Sequence, residues 1–108
     1  NDVRPDGRST RVTYGVLNLA HRDGSERPLQ VVPGECYRVR LRLNDIAYSF
    51  APGHRLRLSL STCYWPVIWP APEPVRLSLR PGSSSLELPV RPVDANDPAT
   101  TLRMPPPT

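Results

Sequence analysis

The stretch Tyr37-Arg38-Val39-Arg40-Leu41-Arg42-Leu43 alternates a bulky residue with arginine at every step. Arg55-Leu56-Arg57-Leu58-Ser59-Leu60-Ser61, Val75-Arg76-Leu77-Ser78-Leu79-Arg80 and Leu86-Glu87-Leu88-Pro89-Val90-Arg91 repeat the pattern. Side chains on a strand point alternately to opposite faces, so a period of two gives each strand one dry and one wet face. A helix would need a period near 3.6, and no segment shows one. Antiparallel sheets with one solvated face carry this signature; buried parallel strands read as continuous apolar runs. The chain is therefore expected to be all-β.

Fifteen prolines and six glycines punctuate the 108 residues. Arg4-Pro5-Asp6-Gly7-Arg8, Arg22-Asp23-Gly24-Ser25, Val32-Pro33-Gly34-Glu35, Ala51-Pro52-Gly53-His54 and Arg80-Pro81-Gly82-Ser83 all have turn chemistry. Proline presets φ and a following glycine supplies positive φ, which predicts type II turns. Strands are predicted at Thr10–His21, Glu35–Leu43, Arg55–Cys63, Val75–Arg80 and Ser85–Arg91, with at most one helical turn between Asn44 and Phe50. Short strands at this spacing point to an antiparallel β-sandwich or barrel. In the third strand Leu56, Leu58 and Leu60 are expected to face the core, and Arg55, Arg57 and Ser59 to face away. The division is one β-sandwich domain at 1–92 and a proline-rich linker or tail at 93–108.

All 14 basic residues are arginine, against 10 acidic ones, for a formal charge of +4. Arg38, Arg40 and Arg42 share one face, but no aromatic residue interleaves with them, so a solvated face is preferred to a nucleic-acid surface. No run approaches the ~20 apolar residues of a membrane span. The two cysteines, Cys36 and Cys63, fit no metal spacing; buried free thiols are expected, with a disulfide open if their strands are neighbours.

No catalytic set emerges. Gly82-Ser83-Ser84-Ser85 lacks the second glycine of a nucleophile elbow and leads into a strand. His54 follows a Pro-Gly turn, and His21 ends a strand; both read as residues that hydrogen-bond locally. Nine positions of extended chain place His54 about 30 Å from Cys63. No metal and no cofactor are implied. The one cluster with interaction chemistry is Tyr64-Trp65-Pro66-Val67-Ile68-Trp69-Pro70, which holds both tryptophans. Its prolines predict a stiff, extended loop. Tyr64, Trp65 and Trp69 either cap the core, dock on another domain, or stack on a ligand such as a sugar.

The strings D-V-R-P-D-G, T-Y-G-V-L-N-L-A-H-R, P-G-E-C-Y-R-V-R-L-R-L, Y-S-F-A-P-G-H-R-L-R-L-S-L-S-T and Y-W-P-V-I-W-P-A-P-E-P, in that order, resemble the C-terminal domain of X-Pro dipeptidyl-peptidases and related cocaine-esterase-like serine hydrolases. The resemblance runs from Asp2 to about Pro92, and Phe50–Leu58 is its most specific element. It implies a jelly-roll, galactose-binding-like β-sandwich without catalytic residues. It also implies a partner, the α/β-hydrolase catalytic domain of the same polypeptide, whose active-site cleft this domain helps to shape. By that comparison the sandwich lacks its first strand or strands, and the chain reads as a slice of a larger hydrolase. A homodimer through an exposed sheet edge, bordered by Asp2 to Pro5, is then expected. A carbohydrate-binding jelly-roll module is the alternative, because fold does not fix function.

Overall fold

The computed structural model describes residues 1–92, 94 and 95. The predicted tail at 93–108 lies almost wholly outside them. The chain divides into two units, Asn1–Ala71 and Pro72–Thr108.

The first unit is organised by three short strands: β1 (Asp2–Val3), β2 (Ser9–Thr10) and β3 (Arg55–Leu56). They form one antiparallel sheet in the order β2-β1-β3. Asp2 stands opposite Thr10 on one side and Leu56 on the other; Val3 stands opposite Ser9 and Arg55. The ladder runs one step further. The Asn1 ammonium donates to the Arg57 carbonyl at 2.8 Å, and the Arg57 amide donates back to the Asn1 carbonyl at 2.9 Å. Small as it is, the sheet is antiparallel, and the chain is nearly free of helix, as the period of two predicts.

Between β1 and β2, Arg4 and Arg8 face each other across the three-residue loop Pro5-Asp6-Gly7, whose sequence dictates its shape. The Arg4 amide donates to the Arg8 carbonyl, and the Gly7 amide donates to the Arg4 carbonyl, both at 2.9 Å. Pro5 fits the early turn position, the Asp6 carboxylate accepts from the Arg8 amide at 2.9 Å, and Gly7 takes φ +86°. A left-handed residue closing a three-residue hairpin is a glycine position, since a side chain there is strained. The turns at Val32–Glu35 and Ala51–His54 also have their glycines in the left-handed region, at +87° and +80°. The fifth predicted turn differs. Gly82 is not left-handed; Pro81–Ser83, in the second unit, forms a 3-10 turn. The Ser84 hydroxyl donates to the Arg80 carbonyl at 2.7 Å and the Ser84 amide to the Pro81 carbonyl at 3.2 Å, which draws the turn tight.

Several predicted strands are corrected. Within 10–21, only Thr10 belongs to a strand, and Leu19–His21 is a 3-10 turn. Asn18 caps that turn: its side chain accepts from the Ala20 amide at 3.0 Å, the competing local bond that asparagine offers a backbone. Residues 13–15 instead lie against 41–44. The Asn44 amide donates to the Tyr14 carbonyl at 2.9 Å, and the Thr13 hydroxyl to the Asn44 carbonyl at 2.7 Å. A Cβ on Gly15 would sit 2.5 Å from the Arg42 carbonyl oxygen, so this approach requires glycine. The predicted helical turn between Asn44 and Phe50 is not formed. Of the predicted strands at 35–43, 55–63, 75–80 and 85–91, only Arg55–Leu56 joins a named strand among the described residues. Periodicity tells which face would be dry; it carries no information about the partner that would dry it.

Burial follows the ladder. Among the described residues only Val3 (2 % exposed) and Asp2 (3 %) are buried, both on the central strand. Leu56, Leu58 and Leu60 do not face a core; Leu58 is 53 % exposed. Because Asp2–Val3 has a neighbour on each side, the segment expected to border an open edge borders none, and the outer edges belong to β2 and β3. Cys36 and Cys63 are free as predicted, but Cys36 is exposed and Cys63 only half-buried.

Val3→Ala removes two carbons from the one buried apolar side chain, a loss of about 2 kcal/mol at ~0.8 kcal/mol per carbon. Leu58→Ala should cost about 1 kcal/mol or less, because its side chain is half in water already. Urea midpoints of the two variants measure the order; a larger loss for Leu58→Ala would mean that the leucine row is packed after all.

Candidate functional site

Two side-chain clusters bring distant parts of the sequence together. The first surrounds Asp2. Its carboxylate accepts the Tyr48 hydroxyl at 2.7 Å and His54 Nδ1 at 2.9 and 3.0 Å. An ionised carboxylate only accepts, so Nδ1 carries the proton in this contact. The Pro52-Gly53 turn, closed by the His54 amide on the Ala51 carbonyl at 3.1 Å, delivers His54 to the first position before β3. There its ring reaches the central strand. Tyr48 is braced by Phe50, ring edge to ring face, with centroids 5.2 Å apart. The two hydrogen bonds hold the Asp2 carboxyl below its ordinary range, His54 contributing most and Tyr48 next, against the opposing effect of burial. The same bond pushes the Tyr48 phenol up, since its ionisation would set a second negative charge beside Asp2.

A carboxylate paired with an imidazole invites comparison with a hydrolase triad, but no nucleophile completes it. Among the described residues no serine, threonine or cysteine hydrogen-bonds to His54. Ser59 accepts the Asn1 side-chain amide at 3.0 Å, and the Ser61 hydroxyl donates to the Cys63 carbonyl at 2.6 Å. No group of three or more metal-ligating side chains occurs among the described residues. The Asp2 cluster is a clamp between β1 and the chain entering β3. Sequence reasoning took His54 for a locally bonded turn residue and missed Asp2 and Tyr48, because their partners are 52 and 46 positions apart. His21 sits in the 3-10 turn, with Nδ1 buried and without a hydrogen-bond partner.

The second cluster contains Tyr64, Trp65 and Trp69. The predicted extended loop is instead a closed hairpin turn: the Tyr64 amide donates to the Ile68 carbonyl at 3.0 Å, and the Ile68 amide to the Tyr64 carbonyl at 2.6 Å. The bond between Trp65 and Pro66 is cis. Closure brings Trp65 and Trp69 together, edge to face, with centroids 5.3 Å apart and planes at 62°. Both stay exposed, at 64 % and 73 %. Tyr64 turns the other way. Its hydroxyl accepts Arg11 Nη1 at 2.6 Å, its ring lies 6.3 Å from that of Tyr14, and the Arg11 guanidinium lies over both rings, 4.9 Å from Tyr14 and 5.5 Å from Tyr64. Cation–π attraction of this kind fixes the guanidinium plane. Arg11 follows β2 directly, so the hairpin is tied to the sheet through it.

The described residues form a nearly helix-free, antiparallel β-structure with an exposed aromatic hairpin. The chain matches the family described as the X-Pro dipeptidyl-peptidase C-terminal non-catalytic domain over residues 1–103, and it belongs to that family. It is 31 % identical over 65 residues to the cocaine esterase of Rhodococcus sp. (strain MB1 Bresler), covering 60 % of this chain and 11 % of that protein. It is 32 % identical over 77 residues to a protein of Mycobacterium bovis (strain ATCC BAA-935 / AF2122/97) provisionally named a serine esterase, covering 56 % of this chain and 12 % of the relative. A protein of Mycobacterium tuberculosis (strain CDC 1551 / Oshkosh), provisionally named in the same way, matches equally. The chain thus spans about one-ninth of the length of the curated relatives it matches. No solved structure matches it significantly.

The clamp makes stability depend on acid. An unfolded aspartate takes its proton at a pKa of about 3.9. The folded value lies lower, so the unfolded state protonates first. The stability Asp2 contributes is complete above the unfolded value and is lost as pH falls through the folded one. Urea midpoints between about pH 6 and pH 2 should fall for the wild type. Asp2→Asn should start lower and decline less steeply. Parallel declines would place the acid sensitivity elsewhere.

Proposed function

We propose that this chain is a non-catalytic accessory domain of a serine hydrolase of the esterase or X-Pro dipeptidyl-peptidase class. In this reading it packs on the α/β-hydrolase catalytic domain of the same polypeptide and helps to shape the active-site cleft. The finished fold is an antiparallel jelly-roll sandwich over residues 1–92, with 93–108 as a linker or tail. Tyr64, Trp65 and Trp69 make the contact.

The observation that carries the reading is the aromatic hairpin. Two tryptophans more than half exposed are costly to leave in water, and Trp and Tyr are the residues that concentrate energy at interfaces. The hairpin is closed by two backbone hydrogen bonds and held by Arg11, so little conformational entropy is lost when it docks. The family description and the esterase names of the relatives supply the class of partner. A sugar-binding module is served less well by the same residues, because rings at 62° offer no flat platform for a pyranose.

In the full polypeptide, Trp65→Ala with Trp69→Ala should weaken domain docking by about 2 kcal/mol or more, the cost of losing an interface anchor. The readouts are a lower urea midpoint and reduced ester or X-Pro amide turnover. The chain alone should match buffer on activated esters and X-Pro anilides. Turnover by the chain alone that vanishes in Ser59→Ala, Ser61→Ala or Cys63→Ala would overturn the proposal. Binding of the chain to an immobilised glycan, with full activity in the double tryptophan variant, would favour the sugar-binding alternative.

A further inference from the structure

We propose that Arg11 is the receptor for a carboxylate of the partner, so that the surface around Tyr64, Trp65 and Trp69 recognises an apolar protein segment bearing an aspartate or glutamate at its edge. This rests on the docking reading above and names the chemistry of what docks.

Two arginines of the first unit lie over aromatic rings, and they differ in what their N–H groups do. Arg22 lies 4.3 Å from the Tyr37 ring centroid, and its guanidinium donates to the carbonyls of Leu19 (3.0 Å), Leu29 (3.4 Å) and Gln30 (3.3 Å). Its donors are occupied in closing the loop from 19 to 30. Arg11 is oriented by two rings, but its one hydrogen bond goes to the Tyr64 hydroxyl. A guanidinium has five N–H donors in a rigid fork. Most of those on Arg11 are therefore available, on an exposed side chain whose plane is already set. The ion pairs of the first unit include Arg8–Asp6, Arg42–Asp45 and His54–Asp2, and among the described residues no carboxylate meets Arg11.

The position of Arg11 makes this a requirement on the partner. Tyr64 touches Arg11 through its hydroxyl and is the residue immediately before Trp65. In the docking reading the partner covers Tyr64 together with Trp65 and Trp69, and so removes water from the guanidinium bonded to the Tyr64 hydroxyl. A charge taken out of water is costly unless it is paired. A fork with fixed orientation matches a carboxylate, which takes two parallel N–H bonds. The occupant that satisfies both halves is a protein segment with an apolar patch and an acidic residue beside it. Eight-ninths or so of the length of the relatives lies outside the matched region, which leaves ample chain to provide it.

This chain contains no lysine, so within its 108 residues a lysine at position 11 would supply the one side-chain amine, and peptide mapping reads cross-links from that position. In the full polypeptide, Arg11→Lys places a reactive amine at position 11. A carbodiimide then joins that amine to any carboxylate in contact, with loss of water, and mass spectrometry maps the partner. Oxidative footprinting of Trp65 and Trp69 reads docking itself. The expected result is protected tryptophans in the wild type, a cross-link from position 11 to an aspartate or glutamate of the hydrolase domain, and loss of protection in Arg11→Gln as in the wild type at high salt. Protected tryptophans with no cross-link at position 11, and protection unchanged in Arg11→Gln, would overturn the carboxylate inference and leave docking standing. Tryptophans as reactive in the wild type as in the unfolded polypeptide would overturn docking, and this inference with it.

Discussion

The three strands of the first unit converge on the buried carboxylate of Asp2. A carboxylate out of water must be paired or it loses its charge. Here a hydroxyl and an imidazole N–H meet it from two other segments of the chain. The strand that carries it is the centre of the sheet, and its neighbour Val3 is the one buried apolar side chain among the described residues. A single residue therefore joins the amino-terminal hairpin, the segment around Tyr48 and the turn before β3. Removing either donor would leave the carboxylate short of hydrogen bonds rather than merely lose a contact.

Local chemistry was legible in the sequence; long-range pairing was not. The glycines of Arg4–Arg8, Val32–Glu35 and Ala51–His54 occupy the left-handed region that Pro-Gly and Pro-Asp-Gly predict, because a turn is decided by neighbouring residues. Gly82 escaped the rule because Ser83 and Ser84 favour a 3-10 turn through the Arg80 carbonyl. The period of two identified an antiparallel, helix-poor chain correctly. It assigned Leu56, Leu58 and Leu60 to a core that the sheet does not provide, since alternation fixes relative faces only. Asp2 left no trace: an aspartate before a valine reads as a strand end. Hindsight supplies a weak signal, an acidic residue among apolar ones with a histidine beginning another strand.

The aromatic cluster shows the same division. Composition singles out its residues as a core cap, a docking surface or a ligand platform, yet the stiff extended loop expected from its prolines is a closed turn. Pairing Tyr64 with Ile68 reverses the chain, and the reversal sets Trp65 against Trp69. Arg11, fifty-three positions before Tyr64, was invisible as its partner. The row Arg38, Arg40 and Arg42 drew attention instead, and within it Arg42 lies 3.5 Å from Asp45.

The two clusters are mechanically connected. Asp2 pairs in register with Thr10, the last residue of β2. Arg11 is the next residue, and its guanidinium holds the Tyr64 hydroxyl at the base of the aromatic hairpin. Four steps thus lead from the buried carboxylate to the exposed tryptophans, each a strand pairing, a peptide bond or a short hydrogen bond. The clamp sets the position of β1, β1 sets β2, and β2 sets where the arginine emerges. In the proposed docking, the aromatic surface gains its precision from that path. The rings need to be placed only relative to Arg11, and Arg11 is placed through the two buried residues of the central strand. The stability of the sheet and the placement of the aromatic turn therefore depend on the same side chain, Asp2, although it lies outside that turn.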